Sequence, residues 1–196
     1  MSVDEPLNKC AGITGDDFAP FLVAHENLLL DDSVRGISCC AVDTDTNEVV
    51  GGFFFVDLCD DNNIPEDLWS DSKFRCVEEA MACIHTQYES KRFSESNPLK
   101  RGVTLKILVR AVLPEYRQRS LASQAMDRAI LLAKERNYKY LVSETSSYYT
   151  RRSFLRRGGE SFGSINYATW TDSKGLIPFA SASKPHDGLH LMELQL

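Results

Sequence analysis

The sequence predicts an α/β fold, a mixed and twisted central sheet flanked by helices. Two observations carry that expectation. From Leu105 to Gly159 an apolar strand, an arginine-bearing turn, a long amphipathic helix and a second strand follow one another without interruption. Ahead of them, two runs of β-formers flank Asp43-Thr-Asp-Thr-Asn-Glu48, a stretch of turn residues, and read as a hairpin.

In chain order, Phe18 to Leu30 is predicted helical, and Ile37 to Val42 and Val49 to Leu58 are the strands of the hairpin. Between Lys73 and Ser90, Val77, Met81, Ile84 and Tyr88 recur at helical intervals, with Cys76, Ala80 and Cys83 beside the same stripe. The polar stretch Tyr88 to Arg101 is a helix end and a loop inside one domain. Leu105 to Val112 is a strand that ends where Pro114 can no longer extend a central ladder. From Ser120 the apolar positions Leu121, Ala122, Ala125, Met126, Ala129, Leu132 and Ala133 trace a helix, closed by Lys134, Glu135 and Arg136. Lys139 to Ser143 is a short strand and Tyr148 to Arg156 a helix ahead of Gly158-Gly159. Gly163 to Trp170 and Leu189 to Leu196 are the closing strands.

At 196 residues, one domain spanning 1–196 is expected, large enough to bury a substantial core. A net charge of −6 argues against a nucleic-acid partner and is compatible with a cationic substrate. The six cysteines show neither a CxxC pair nor zinc-ligand spacing, which fits reduced thiols in the core of a cytoplasmic protein without a structural metal. Met1 to Glu5 lacks a basic region followed by an apolar stretch, and no run approaches the roughly 20 apolar residues that span a bilayer, so no membrane association is expected.

The chemistry concentrates at Glu115 to Ser123. A helix N-terminus offers unpaired N–H groups and the positive end of the helix dipole, so an arginine-containing turn there suits a pyrophosphate. The residues Arg117-Gln-Arg-Ser120-Leu-Ala122 resemble the coenzyme A loop of the GCN5-related N-acetyltransferase superfamily: Arg or Gln, two residues, Gly, one residue, then Gly or Ala. Ser120 departs from that pattern by standing at the glycine. It adds a side chain where backbone approaches phosphate, and a hydroxyl that can donate a hydrogen bond.

Three further segments resemble the insect-type arylalkylamine branch of that superfamily. They are Asp4-Glu-Pro-Leu-Asn-Lys9, Thr145-Ser-Ser-Tyr-Tyr-Thr-Arg-Arg-Ser153 and Lys184-Pro-His186, so the resemblance covers nearly the whole chain. It implies the superfamily fold, acetyl-CoA as cosubstrate and a small primary amine, in particular an arylalkylamine, as acceptor. It also implies a strand and helix ahead of the acidic motif, whereas Glu5 lies close to the first residue; the expectation is a sheet lacking that first strand and helix, either because the chain is truncated or because they have been dispensed with.

The resemblance assigns the site residues. Glu5 is the implied base, needed because an amine with a pKa of about 10 is protonated near neutrality. A backbone N–H of Ala111 or Val112 would polarise the thioester carbonyl. Ser146 and Thr150, four apart, match the branch's two serines and would supply a proton to the leaving thiolate, threonine replacing the second. Arg117, Gln118, Arg119, Ser120, Leu121, Ala122 and Ser123 would hold the cosubstrate. Phe154 stands where many superfamily members keep a tyrosine, and phenylalanine cannot donate a proton.

Direct attack in a ternary complex is favoured over an acyl-cysteine, because no cysteine has a sequence-adjacent histidine to activate it. His186 and His190 read as structural, with His186 a secondary candidate for the amine pocket. Phe18, Phe21, Phe53, Phe55, Trp69, Trp170 and Phe179 are available as aromatic walls. Polyamine acceptors, longer acyl groups, a protein or peptide acceptor, and a degenerate domain that binds acyl-CoA or a partner protein without turnover stay open, as does the oligomeric state.

Overall fold

The computed structural model describes residues 5–24, 31–32, 34–60 and 72–196. Helix α1 (Pro6–Ala11) starts on Pro6, whose fixed φ suits the first helical position, and stops at Gly12, which takes the left-handed φ of 69°. Helix α2 begins at Gly15 and is described to Ala24, three residues earlier than the apolar pattern from Phe18 suggests. The reason is a cap: the Asp17 carboxylate accepts from the Thr14 N–H at 2.8 Å and from the Thr14 hydroxyl at 2.7 Å. The predicted continuation over 25–30 lies outside the described residues, as does Trp69.

Strands β1 (Cys39–Val42) and β2 (Val49–Asp57) form the antiparallel hairpin. Helix α3 (Ser72–Arg92), strand β3 (Thr104–Val112), helix α4 (Leu121–Glu135), strand β4 (Tyr140–Thr145) and helix α5 (Tyr148–Leu155) follow, then β5 (Glu160–Asn166) and β6 (Gly188–Gln195). Among the described residues the sheet runs β1-β2-β3-β4-β6-β5, with β1 at one edge, and only β3 and β4 are parallel. That parallel junction is what obliges α4 to cross over between them.

Strand β5 starts and stops earlier than the expected Gly163 to Trp170. It is an edge strand with Glu160, Ser161, Ser164 and Asn166 exposed, so its apolar alternation is weak in sequence. The cysteines also correct the sequence reading: none is fully buried, and Cys40 is exposed on β1.

Two cores cover the two faces of the sheet. On one, Leu7, Ile13, Phe74, Val77, Ala80, Ile84 and Tyr88 from α1 to α3 pack on Val142, Ile165, Leu189 and Leu191. On the other, Met126, Ala129, Ala133 and Phe154 from α4 and α5 pack on Phe53, Phe55, Leu105, Ile107, Leu141 and Met192. Among the described residues no helix is long and apolar enough to cross a membrane.

Candidate active site

The site begins where two strands part. β3 and β4 pair at Thr104↔Tyr140, Leu105↔Leu141 and Lys106↔Val142 and nowhere beyond. Above Lys106, β3 holds to β2 alone, with a bulge at Leu108, between the pairs Phe54↔Val109 and Phe55↔Ile107, that bends it away from β4. A cleft therefore opens between the strands toward the C-terminal end of β3. Leu113 N–H donates to Val50 O at 2.9 Å, which sets the phase of the ladder: Ala111 and Val109 turn their N–H groups to β2, and Val112 and Arg110 turn theirs to the cleft. Of the two expected carbonyl donors, Val112 faces the opening and Ala111 does not.

At the top of β3 a short 3₁₀ turn, Pro114–Tyr116, leads into α4. Gln118 and Ser120 take φ of 65° and 61°, the left-handed region in which glycine is unstrained, so the position of Ser120 in the turn explains why the resembled pattern keeps a glycine there. Among the described residues, the N–H groups of Gln118, Arg119, Ser120, Leu121, Ala122 and Ser123 have no backbone acceptor. These donors and the exposed Arg117 and Arg119 fit an anion such as a pyrophosphate.

The turn is braced from outside. Tyr116 donates its hydroxyl to Asp43 Oδ2 at 2.6 Å, tying the turn to the β1–β2 hairpin, and the Arg119 guanidinium stacks 4.7 Å from the Tyr116 ring. Arg117 Nε donates to Val112 O at 3.3 Å. Ser123 does not offer its hydroxyl oxygen freely, because Arg157 Nη2 donates to it at 2.7 Å while also pairing with Asp127.

Glu5 caps α1: its Oε2 accepts the Asn8 N–H at 2.6 Å. Its charge is felt by Tyr167, a buried residue whose ionisation is pushed up first by burial and then by Glu5. The Tyr167 hydroxyl donates to the Ser146 carbonyl at 2.9 Å. The structure thus draws Glu5 and Ser146, 141 residues apart in sequence, to one corner through Tyr167. Thr150 lies half-buried in the first turn of α5, which Ser147 caps by accepting the Tyr149 N–H. His186 Nδ1 accepts the Tyr148 N–H at 3.2 Å, so it anchors the start of α5.

The aromatic candidates divide between the faces. Phe18, Trp170 and Phe179 join Tyr167 in the core beneath α1, Trp170 and Phe179 stacking at 5.5 Å, whereas Phe53 and Phe55 lie on the opposite face. The side chain of Phe21 is outside the described residues.

Sequence reasoning missed Tyr167, the Arg151 cluster and two charged residues of β3. Arg151 pairs with Asp187 at 3.0 Å and contacts His190 Nε2. Burial, and after it the charge of Arg151, depress the His190 pKa below its ordinary value near 6.5. The unfolded chain then takes up the proton first as pH falls, so the stability tied to neutral His190 is present above the unfolded value and is lost below it. The thermal midpoint is expected to decline between about pH 7 and pH 5, less steeply in His190→Gln. An identical slope in both proteins would contradict this.

The two charged residues of β3 are Lys106 and Arg110, and Arg110 has a consequence for stability. In register with Phe53, it turns to the α4 and α5 face, where its Nη2 is sealed from solvent and has no hydrogen-bond partner among the described residues. Burial, with the like charge of Arg157, lowers its pKa to about 10. A guanidinium with a buried, unsatisfied nitrogen opposes folding, so Arg110→Met is expected to stabilise by about 1 kcal/mol, a midpoint rise of about 2–4 °C by calorimetry. A lower midpoint would refute it.

No protein-family model matches the sequence, and no curated protein sequence does. Solved structures do match in fold. Arylalkylamine N-acetyltransferase 2 from Aedes aegypti superposes with a TM-score of 0.78 at 21% identity, over 98% of this chain and 88% of that one. The C-terminal condensation domain of Ebony, solved with β-alanyl-dopamine, gives 0.79 at 14% identity, over 97% and 86%. The fold is that of the GCN5-related N-acetyltransferases. A polyamine N-acetyltransferase from Drosophila melanogaster, described as forming N-acetylagmatine, shares this acetyltransferase fold at a TM-score of 0.62 and 17% identity, over 82% and 75%.

Proposed function

We propose that this protein transfers an acetyl group from acetyl-CoA to a small primary amine, in particular an arylalkylamine, by direct attack in a ternary complex. The observation that carries this reading is the parting of β3 and β4 beyond Lys106, which leaves the β3 edge leading up to the donor-rich turn at Arg117 to Ser123 unpaired on one side. Solved proteins of the same fold are named for amine acetylation, which supports the acceptor class.

Arg117, Arg119 and the N–H groups from Gln118 to Ser123 would hold the phosphates of acetyl-CoA, which supplies the acyl thioester. The Val112 N–H, already turned to the cleft, would stabilise the charge that develops on the carbonyl oxygen. Glu5 would take the proton of the ammonium form, leaving a lone pair free to attack, and the hydroxyls of Ser146 and Thr150 would return a proton to the sulfur. Of the aromatic candidates on this face, Trp170 is half-buried and stacks on the buried Phe179, and it would be the residue to contact an acceptor ring.

Calorimetric titration with coenzyme A tests the phosphate turn. The wild type is expected to bind and the double variant Arg117→Ala, Arg119→Ala to bind at least about tenfold more weakly, through lost charge-assisted contacts. Equal affinity would remove both arginines from the site. A second reading, acyl-CoA binding without transfer, draws on the engagement of Glu5 Oε2 in the α1 cap.

A further inference from the structure

The strand that lines the cleft carries two charged side chains, one to each face of the sheet. In register with Val142, Lys106 turns to the face covered by α1 to α3, where Glu144 Oε1 meets its Nζ at 2.5 Å. Arg110 turns to the α4 and α5 face and is not met in this way: among the described residues its Nη2 has no hydrogen-bond partner and no carboxylate pairs with the guanidinium. Helix α4 follows β3 and α5 follows β4, so on this face the cleft runs beneath their junction. Arg157 fastens that junction, donating to Ser123 Oγ at 2.7 Å and Asp127 Oδ1 at 2.6 Å on α4 and to Ser153 Oγ at 2.8 Å on α5. Its like charge reaches Arg110 and repels it, and Met126, Ala129, Ala133 and Phe154, which α4 and α5 turn to this face, are apolar. The half-buried Arg110 is therefore a cation whose surroundings offer it no counter-charge.

Its place along the strand says what could match it. With the phosphates at the turn and the thioester carbonyl at the Val112 N–H, the arm of the cosubstrate takes the stretch of cleft on the turn side of Val112, and the acyl carbons run on away from the turn. Arg110 is the next residue of that edge whose N–H faces the cleft, about 7 Å further along. The acceptor's corner lies on the other face, since Glu5 caps α1 and Tyr167 belongs to the core beneath it. Resting on the acetyl-CoA reading above, we propose that Arg110 recognises a carboxylate at the far end of the acyl group, so that the site prefers a carboxyacyl-CoA to a neutral acyl-CoA of equal length. An acetyl group ends in a methyl and leaves the guanidinium unmatched. A carboxylate accepts two parallel N–H bonds from it and cancels its charge where little water competes. An arginine that opposes folding in the free protein and is matched only on binding is what such a contact requires.

Succinyl-CoA and butyryl-CoA make the test, because a carboxylate in the first stands in place of the terminal methyl of the second. Calorimetric titration of the wild type with both is expected to show succinyl-CoA bound at least about tenfold more tightly, and Arg110→Met is expected to lose that preference. Burying a methyl ordinarily favours the neutral chain, so butyryl-CoA bound as tightly as succinyl-CoA by the wild type overturns the proposal. A folded Arg110→Met that keeps the wild-type ratio overturns it too, and is the result a purely structural arginine would give. In the double variant Arg117→Ala, Arg119→Ala both donors are expected to weaken together with the ratio kept; a ratio lost there would place the carboxylate at the turn and refute the assignment. Should Arg110→Met not fold, Arg110→Lys, which keeps the charge and loses the planar fork, is expected to narrow the ratio, and an unchanged ratio in it is contrary evidence of the same weight. Failure of coenzyme A itself to bind rejects the acetyl-CoA reading and this inference with it, and is distinguishable because coenzyme A carries no acyl group.

Discussion

Glu5→Gln is expected to lower amine turnover by about 10²-fold while leaving coenzyme A affinity and thermal stability close to wild type. Glutamine retains a carbonyl oxygen that can accept the Asn8 N–H, so the α1 cap survives the substitution. What it loses is proton affinity: an amide does not accept a proton near neutrality, and the ammonium group would keep its own. Steady-state kinetics on the best amine, with calorimetry on the same sample, separates these quantities. Wild-type turnover in the variant would remove Glu5 from the chemistry and leave it as a helix cap.

Gly163→Val is expected to destabilise by about 3 kcal/mol or more, a large share of the 5–15 kcal/mol typical of a folded domain. The cause is backbone against backbone. A Cβ placed on Gly163 would lie 2.3 Å from the Ile84 carbonyl oxygen, and neither α3 nor β5 can yield as a side-chain end would. Relief requires α3 to lift from the sheet, which would also draw His85 off Glu144 and Tyr88 off Glu193, where its hydroxyl donates at 2.8 Å. A denaturant midpoint near wild type would mean that α3 is seated less closely than the structure shows.

The contrast between these two residues shows what the sequence could carry. The run from β3 through α4 to β4 was legible because each element buries one face, and burial writes period two or period 3.6 into the apolar positions. Edge strand β5 was displaced in the reading because half of its residues face solvent, and α2 because its start is set by Thr14 and Asp17 rather than by an apolar residue. The site was legible only where a motif carries it. Tyr167 stands 162 residues beyond Glu5 and looks like any strand aromatic, and His85 and Glu144 are 59 residues apart. The trace they left is charge inside apolar strands, Lys106 and Arg110 in β3 and Glu144 in β4, since a buried charge needs a partner from elsewhere in the chain. Lys106 has that partner in Glu144, and Arg110 has none for its Nη2 among the described residues.

The most direct test of amine acetylation is free-thiol release from acetyl-CoA by the purified protein, with dopamine, serotonin, tyramine and spermidine supplied in turn and a control without amine. Release that depends on the amine, fastest with an arylalkylamine and accompanied by the N-acetylated product, is the expected result. Coenzyme A binding without amine-dependent release would contradict the transfer reading and leave a protein that holds acyl-CoA in the cleft between β3 and β4.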